Sequence, residues 1–320
     1  MNEHNFYPEK PQLTEQKQKG GMSLTFFSLV LFILVFYLLV DELNFIIYLV
    51  TVLLIHELGH FIAMKLFKYK NVRMLFIPLM GAFVQGVKSN YSQKESLLVT
   101  AAGPFPGIFL GGVCVYLGSL WNLEMLVSVG ILFYFLNIIN LLPLDPLDGG
   151  QLFKLLVRKN NEIFIMIFAF VSSIIMIGIG WYFYYMDKSG LILMLFGFVM
   201  GFRVRAMQKK YEIHKELKGN GVDYTSTYKL LSNEAYAKIK RVVLEYTPTL
   251  QKYMGQVSDE ELDPIFASQV NNILVTPLKR DTSLLFRILV IVFWIGSFAL
   301  PYFFFMNLNL QPWMESINAV

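Results

Sequence analysis

The stretch His56-Glu57-Leu58-Gly59-His60 lies inside an apolar run, Asn44 to Phe67, that is otherwise Ile, Leu, Val, Phe, Tyr, Met and Ala with few polar interruptions. About 20 apolar residues suffice to cross a bilayer as a helix. Three ionisable side chains in such a span cost several kcal/mol even on insertion scales, so something must offset them. On a helix His56 and His60 are i and i+4. Their imidazoles share one face, roughly 5–6 Å apart at Cβ, and both nitrogens can reach one Zn²⁺ at about 2.0–2.1 Å. Glu57 is placed beside them to take a proton from an activated water. The bland alternative is two buried histidines bonded to neighbouring helices, but nothing structural requires this trio inside a membrane span. Two of the chain's four histidines fall in this one turn.

Two histidines do not complete a catalytic zinc site, which has three protein ligands plus water. The best source of a third is Asn140-Leu141-Leu142-Pro143-Leu144-Asp145-Pro146-Leu147-Asp148-Gly149-Gly150. There an apolar helix ends in a proline-broken segment carrying two carboxylates. Backbone freed from helix at membrane depth is tolerated only where protein or a water cavity covers it, which is where a ligand from a second helix is expected.

HELGH in one span, followed about two spans later by this Asn-Leu-Leu-Pro and Pro-Leu-Asp-Gly-Gly pattern, resembles the site-2 protease family of intramembrane zinc metalloproteases. The resemblance covers about residues 44–155. It implies His56, His60 and Asp148 as metal ligands, Glu57 as the catalytic glutamate, and Asn140 as a residue that positions substrate. Ala101 to Gly107 resembles the family's Gly-Pro-rich third-span motif, with Gly107 standing where many members have Asn. Gly103 is a candidate substrate contact, with a packing role as the alternative.

The sequence is 55% hydrophobic and 16% charged, a polytopic membrane composition. The single cysteine, Cys114, excludes an internal disulfide and reads as a small apolar residue in a span. A net charge of +4 implies no nucleic-acid partner. The polar start reads as a soluble tail rather than a cleavable signal peptide. The expected fold is an all-α polytopic membrane protein of about seven transmembrane helices with a re-entrant β-hairpin and a small helical cytoplasmic domain. Its expected parts are a flexible cytoplasmic tail (1–21), a six-span metalloprotease core (22–207), a cytoplasmic helical domain (208–282), a seventh span (283–308) and an extracytoplasmic tail (309–320). Spans are expected at Ser23–Val40, from Asn44 through HELGH, at Ser96–Leu120, Met125–Leu142, Ile163–Met186, Leu191–Phe202 and Ser283–Met306. Asp41-Glu42 and Trp121–Glu124 are short turns, and an amphipathic Gln151–Val157 ends in Arg158-Lys159.

Val72–Val87 is apolar but interrupted by Pro78, Gly81 and Gly86, a pattern that predicts a hairpin. The family resemblance implies a re-entrant hairpin that dips toward the zinc, and the free edge of that hairpin, at Phe83 and Val84, is where substrate is expected to add as a strand. An interfacial loop anchored by Phe76 and Phe83 is the alternative. Asn137 reads as an amide bonded to a neighbouring helix. Asp145 reads as a cap for the helix that follows. Gln208–Thr282 is polar, with a helical pattern at Asn233–Tyr246, breaks at Pro248, Pro264 and Pro277, an acidic patch at Asp259-Glu260-Glu261, and few evident core residues.

With the N-terminus in the cytoplasm, every one of the 27 lysines and arginines except Lys188 and Arg287 falls in an inner segment. The positive-inside rule therefore sets the orientation. The expected activity is zinc-dependent intramembrane proteolysis, in regulated intramembrane proteolysis at the cell membrane. The expected partners are a single-span membrane-protein substrate and the lipid bilayer, with a second copy of the chain or a regulatory membrane protein as further candidates. Competing readings are an inactive relative that binds membrane partners, a membrane HExxH protease with a glutamate as third ligand, and a metal transporter. The intact ligand set, the PLDGG motif and the few ionisable residues in the other spans weigh against these in turn.

Overall fold

The computed structural model describes residues 7–13, 21–40, 42–88, 90–157, 162–254 and 258–307. Most of the expected N-terminal tail, Asp41, Arg158-Lys159 and the tail 309–320 lie outside the described residues. In chain order the helices are α1 (Gly21–Leu39), α2 (Leu43–Leu66), α3 (Gln93–Ala101), α4 (Pro104–Trp121), α5 (Glu124–Leu141), α6 (Asp148–Leu156), α7 (Glu162–Asp187), α8 (Leu191–Gly219), α9 (Asn233–Glu245), α10 (Pro248–Tyr253), α11 (Asp259–Ile273) and α12 (Leu284–Asn307). Between α2 and α3 run strands β1 (Lys70–Ile77) and β2 (Gly81–Val87).

Five helical stretches are long and apolar enough to cross a membrane: Leu43–Leu66, Gln93–Trp121, Glu124–Leu141, Glu162–Met186 and Leu191–Gly219. Ser23–Leu39 and Leu284–Ala299 are shorter apolar helices. Their outward faces are greasy, with Phe26, Phe27, Phe109, Phe202 and Ile295 all mostly exposed. An apolar exterior of this extent is stable against lipid and not against water.

The chain divides into two units. One holds α1 to α6, the hairpin and α12. In it Phe32 of α1, Leu49 and Leu53 of α2, and Met74 and Phe76 of β1 form one buried cluster. Leu97, Ile108, Val115, Tyr134, Leu141, Leu152 and Val290 form another, joining α3 to α6 and α12. Small residues set the closest helix approaches, as lipid-embedded packing requires. A methyl on Gly130 would meet Val115 at 2.7 Å, and one on Gly118 would meet Val127 at 2.7 Å.

The third expected span is in two pieces. Pro104 sits in the first turn of α4 and Ala102-Gly103 form the joint with α3. Proline has no N–H to continue the preceding helix and its fixed φ suits a new first turn. The joint bears directly on the histidines.

The hairpin is antiparallel, with Met74 opposite Val84, Leu75 opposite Phe83 and Ile77 opposite Gly81. Its turn uses Leu79 at φ 66° and Gly81 at φ +96°. On β1 the Met74 carbonyl accepts from Thr25 Oγ1 (2.5 Å) and the Phe76 N–H donates to Ser28 Oγ (3.2 Å), both on α1. These groups point away from β2, so α1 caps the outer edge of β1. No third strand pairs with β2 among the described residues.

The other unit holds α7 to α11 and the N-terminal segment. Ser173 Oγ donates to the Gly197 carbonyl (2.6 Å), joining α7 and α8. The sixth apolar stretch ends near Phe202, but α8 continues unbroken to Gly219. Arg, Lys, Glu, Gln and Met are good helix formers, so loss of apolar character ends the membrane-facing part but not the helix. Helices α8, α9 and α11 enclose a core of thirteen buried residues from Ile213 to Leu274, more than the polar composition suggests. Pro264 lies inside α11 without ending it, whereas Pro248 opens α10.

Candidate metal centre

Helix α2 carries His56, Glu57 and His60 on its inner face, at 3%, 4% and 8% exposure, while Leu58 between them is 43% exposed. The i, i+4 spacing therefore does what the sequence expectation required. Gly59 makes the placement possible. A methyl there would run into the Ala102 carbonyl, so α2 presses against the α3–α4 joint at zero side-chain thickness. Gly103 on the same joint lies directly under the His60 ring, where a Cβ would overlap Nε2. Its observed neighbour is thus a ligand histidine.

Each imidazole is fixed from behind. His60 Nδ1 lies 2.8 Å from the Val99 carbonyl in the last turn of α3, which also accepts from the Ala102 N–H at 3.2 Å. His56 Nδ1 lies 2.7 Å from Asn137 Oδ1 on α5. The Asn137 Nδ2 donates to the Phe133 carbonyl at 2.7 Å, which orients the amide. A carbonyl and an amide oxygen only accept, so both Nδ1 atoms carry a hydrogen, and the Nε2 of each ring is the atom that faces Asp148.

Asp148 opens α6, delivered by the proline-broken loop after α5. Gly149 and Gly150 press on the Leu141 and Leu144 carbonyls, which folds the loop back on the end of α5. The Leu141 carbonyl also accepts from Trp294 Nε1 of α12 at 2.8 Å. The N-cap position of α6 is Leu147, not Asp145. Asp145 is 3% exposed and forms an ion pair with Lys154. A lysine one turn from the end of the same short helix offsets the cost of burying that carboxylate better than a cap would.

The three groups converge. Asp148 Oδ2 is 3.1 Å from His56 Nε2 and 3.2 Å from His60 Nε2, and the two Nε2 atoms are 3.2 Å apart. Among the described residues this trio can offer one ligand atom each to a metal ion. Without a hydrogen on either Nε2, three lone pairs would meet there, an arrangement that a cation stabilises. A tetrahedral site with bonds of about 2.0–2.1 Å has ligand–ligand edges of about 3.3–3.4 Å, close to the observed triangle. The residues fit a divalent metal. Glu57 Oε2 is buried with no hydrogen-bond partner, a vacancy for a proton-bearing group beside the triangle.

Asn140 is half-buried at the last turn of α5, one turn beyond Asn137. Phe83 is 40% exposed and Val84 packs partly into the α1–α2–hairpin cluster. Asn137, read from the sequence as an amide bonded to a neighbouring helix, bonds to His56 of α2. Its i+3 relation to Asn140 on an otherwise apolar face is the signal that was there to find. The space a side chain at Gly107 would need is filled by the Asn137 carboxamide.

Residues 44–123, which include both histidines and Glu57, match the model of peptidase family M50. Among curated proteins, the chain is 33% identical over 124 residues to stage IV sporulation protein FB of Bacillus subtilis, spanning 38% of this chain and 43% of that one. It is 27% identical over 120 residues to a zinc metalloprotease of Methanocaldococcus jannaschii, covering 36% of this chain and 34% of the other. The match thus spans less than half the length of each of these relatives. Among solved structures, the site-2 protease from M. jannaschii aligns with 22% identity and a TM-score of 0.41, over 57% of this chain and 87% of that one.

Proposed function

We propose that the protein is an intramembrane zinc metalloprotease that cuts membrane-anchored substrates, as in regulated intramembrane proteolysis. One observation carries this: two histidine Nε2 atoms and a carboxylate oxygen converge to within 3.2 Å of one another inside an apolar helix bundle, with each ring's Nδ1 held from behind. His56, His60 and Asp148 would hold Zn²⁺. When bound, zinc lowers the pKa of a water toward about 7 and polarises a carbonyl. Glu57, with its free Oε2, accepts the proton of the attacking water and returns it to the departing amine. Asn140 steadies the substrate backbone.

A helical peptide bond is shielded by its own hydrogen bonds, so a single-span substrate must be opened before cleavage. The outer edge of β2 supports this role. Val84 is opposite Met74, whose carbonyl points away from the hairpin, so in an antiparallel pair the Val84 backbone groups also point outward. An extended substrate would add there, beside Phe83 and towards Gly103. We read the seven apolar helices as spans of the cell membrane, with the N-terminus, the hairpin and residues 208–282 on the cytoplasmic side, as the lysine and arginine distribution supports. A cleaved substrate would release its fragment into the cytoplasm.

The test compares membranes containing wild-type and Glu57→Gln protein. The variant is expected to keep one zinc per chain while a membrane-anchored protein accumulates uncut. Normal cleavage by the variant removes Glu57 as the base, and absence of zinc from the purified wild type removes the metalloprotease assignment.

A further inference from the structure

A second binding arrangement lies far from the metal in chemistry and in sequence. Residues 8–13 lie without regular secondary structure against the domain formed by the end of α8, α9 and α11. Lys10 Nζ donates to the Tyr228 carbonyl (2.8 Å) and the Lys229 carbonyl (3.3 Å), and also to the Leu231 carbonyl. The ammonium lies 5.4 Å from the centroid of the Tyr228 ring. These carbonyls belong to a three-residue helical turn, Tyr228–Leu230, and the residue after it. The Tyr228 carbonyl also accepts from the Leu231 N–H at 3.4 Å; a turn that short has few N–H groups to offer its carbonyls, and an ammonium brings three donors and no acceptor.

Two further bonds hold the backbone of the segment. The Lys10 N–H donates to Asn233 Oδ1 (3.1 Å), and Tyr228 Oη donates to the Pro11 carbonyl (2.8 Å). Leu13 packs on the domain core beside buried residues of α9 and α11. The parts are those of a peptide-recognition site: two main-chain hydrogen bonds that set register, one cage that selects an ammonium, and an apolar contact three residues on. Prolines at 8 and 11 hold the segment extended and lower the entropy lost on docking.

We propose that the surface around Tyr228, Leu231 and Asn233 is a recognition site for extended segments bearing lysine followed by proline, and that residues 7–13 fill it in cis as an exchangeable strap. A partner protein presenting lysine, proline and, two residues after the proline, an aliphatic side chain would displace it. The proposal is independent of the metal site.

The test uses the full chain in detergent and a fluorescein-labelled peptide of residues 7–13. In the wild type the strap competes at the millimolar effective concentration of a short linker, so Lys10→Ala, which empties the cage, is expected to bind the peptide at least about tenfold more tightly. Lys10→Gln, which keeps the aliphatic stem, should show the same gain. A peptide with alanine in place of lysine should not bind, and adding Asn233→Ala to Lys10→Ala should reduce binding by about fivefold or more. Equal binding to wild type and both Lys10 variants, or undiminished binding of the alanine peptide, overturns the proposal.

Discussion

Asn137→Ala is the most informative perturbation of the metal centre, because it leaves all three proposed ligands in place. Asn137 is fully buried, and its Oδ1 receives the Nδ1 hydrogen of His56 at 2.7 Å. Without that acceptor the His56 ring is free to rotate and to carry its hydrogen on Nε2, where it blocks coordination. Loss of such a partner behind a ligand histidine costs about 10–100-fold in metal affinity, which is about 1.4–2.7 kcal/mol. That agrees with the cost of orphaning one buried donor, about 1–3 kcal/mol. The zinc dissociation constant, measured by competition against a chromophoric chelator, should therefore rise by one to two orders of magnitude. Proteolysis should recover when zinc is supplied in excess.

Gly107 supplies an internal control. A methyl at this position overlaps the Asn137 carboxamide, so Gly107→Ala should weaken zinc binding by pushing the amide off His56. In the Asn137→Ala background the clash disappears. The double variant should then bind zinc no worse than Asn137→Ala alone, a strongly non-additive result. If Asn137→Ala binds zinc within about threefold of wild type, the amide only packs, and the account of how the histidines are readied for metal is wrong.

Three further outcomes follow from other contacts. Asp148→Ala removes the only carboxylate of the triangle and should abolish stoichiometric zinc in the purified protein, read by elemental analysis; wild-type zinc content would point to a different third ligand. Trp294→Phe deletes the indole N–H that holds the Leu141 carbonyl at the start of the loop delivering Asp148. It should cost about 1 kcal/mol of stability and weaken zinc modestly, while an unchanged unfolding midpoint and zinc affinity would show that α12 does not brace the loop. Val84→Pro removes an outward N–H from β2 without breaking a bond inside the hairpin, so cleavage should fall while zinc content stays intact, and full cleavage would rule out strand addition at that edge.

The parts of this architecture that the sequence disclosed are those governed by local rules. The i, i+4 histidines fix their own geometry on any helix, and Pro78 with Gly81 placed the hairpin turn within a few residues of Leu79 and Gly81. The break at Ala102-Gly103 was present in Pro104, but the run from Ser96 to Leu120 is apolar enough that hydropathy alone joins its halves. The extension of α8 to Gly219 was hidden for the opposite reason: apolarity ends where the membrane-facing segment ends, and helix propensity continues. The pairing of Asp145 with Lys154 and the choice of His56 as the partner of Asn137 could not be read, because each depends on how separate segments meet.

The same distinction explains why glycine, not a polar residue, does so much at the metal centre. A helix that carries two bulky ligand rings needs an adjacent surface thin enough to admit them, with acceptors already in place. Gly59 lets α2 reach the joint carbonyls, Gly103 gives the His60 ring its space, Gly107 gives the Asn137 amide its space, and Gly149 lets the Asp148 loop close on the end of α5. Each acts by leaving room, and a lipid-facing bundle cannot gain that room by admitting water. Gly59→Ala should therefore be as damaging to zinc binding as losing the Asn137 amide, although the new methyl touches neither metal ligand nor substrate. Near-normal zinc affinity in Gly59→Ala would mean that α2 can retreat from the joint without moving His56 and His60, and would contradict the close-packed account of the site.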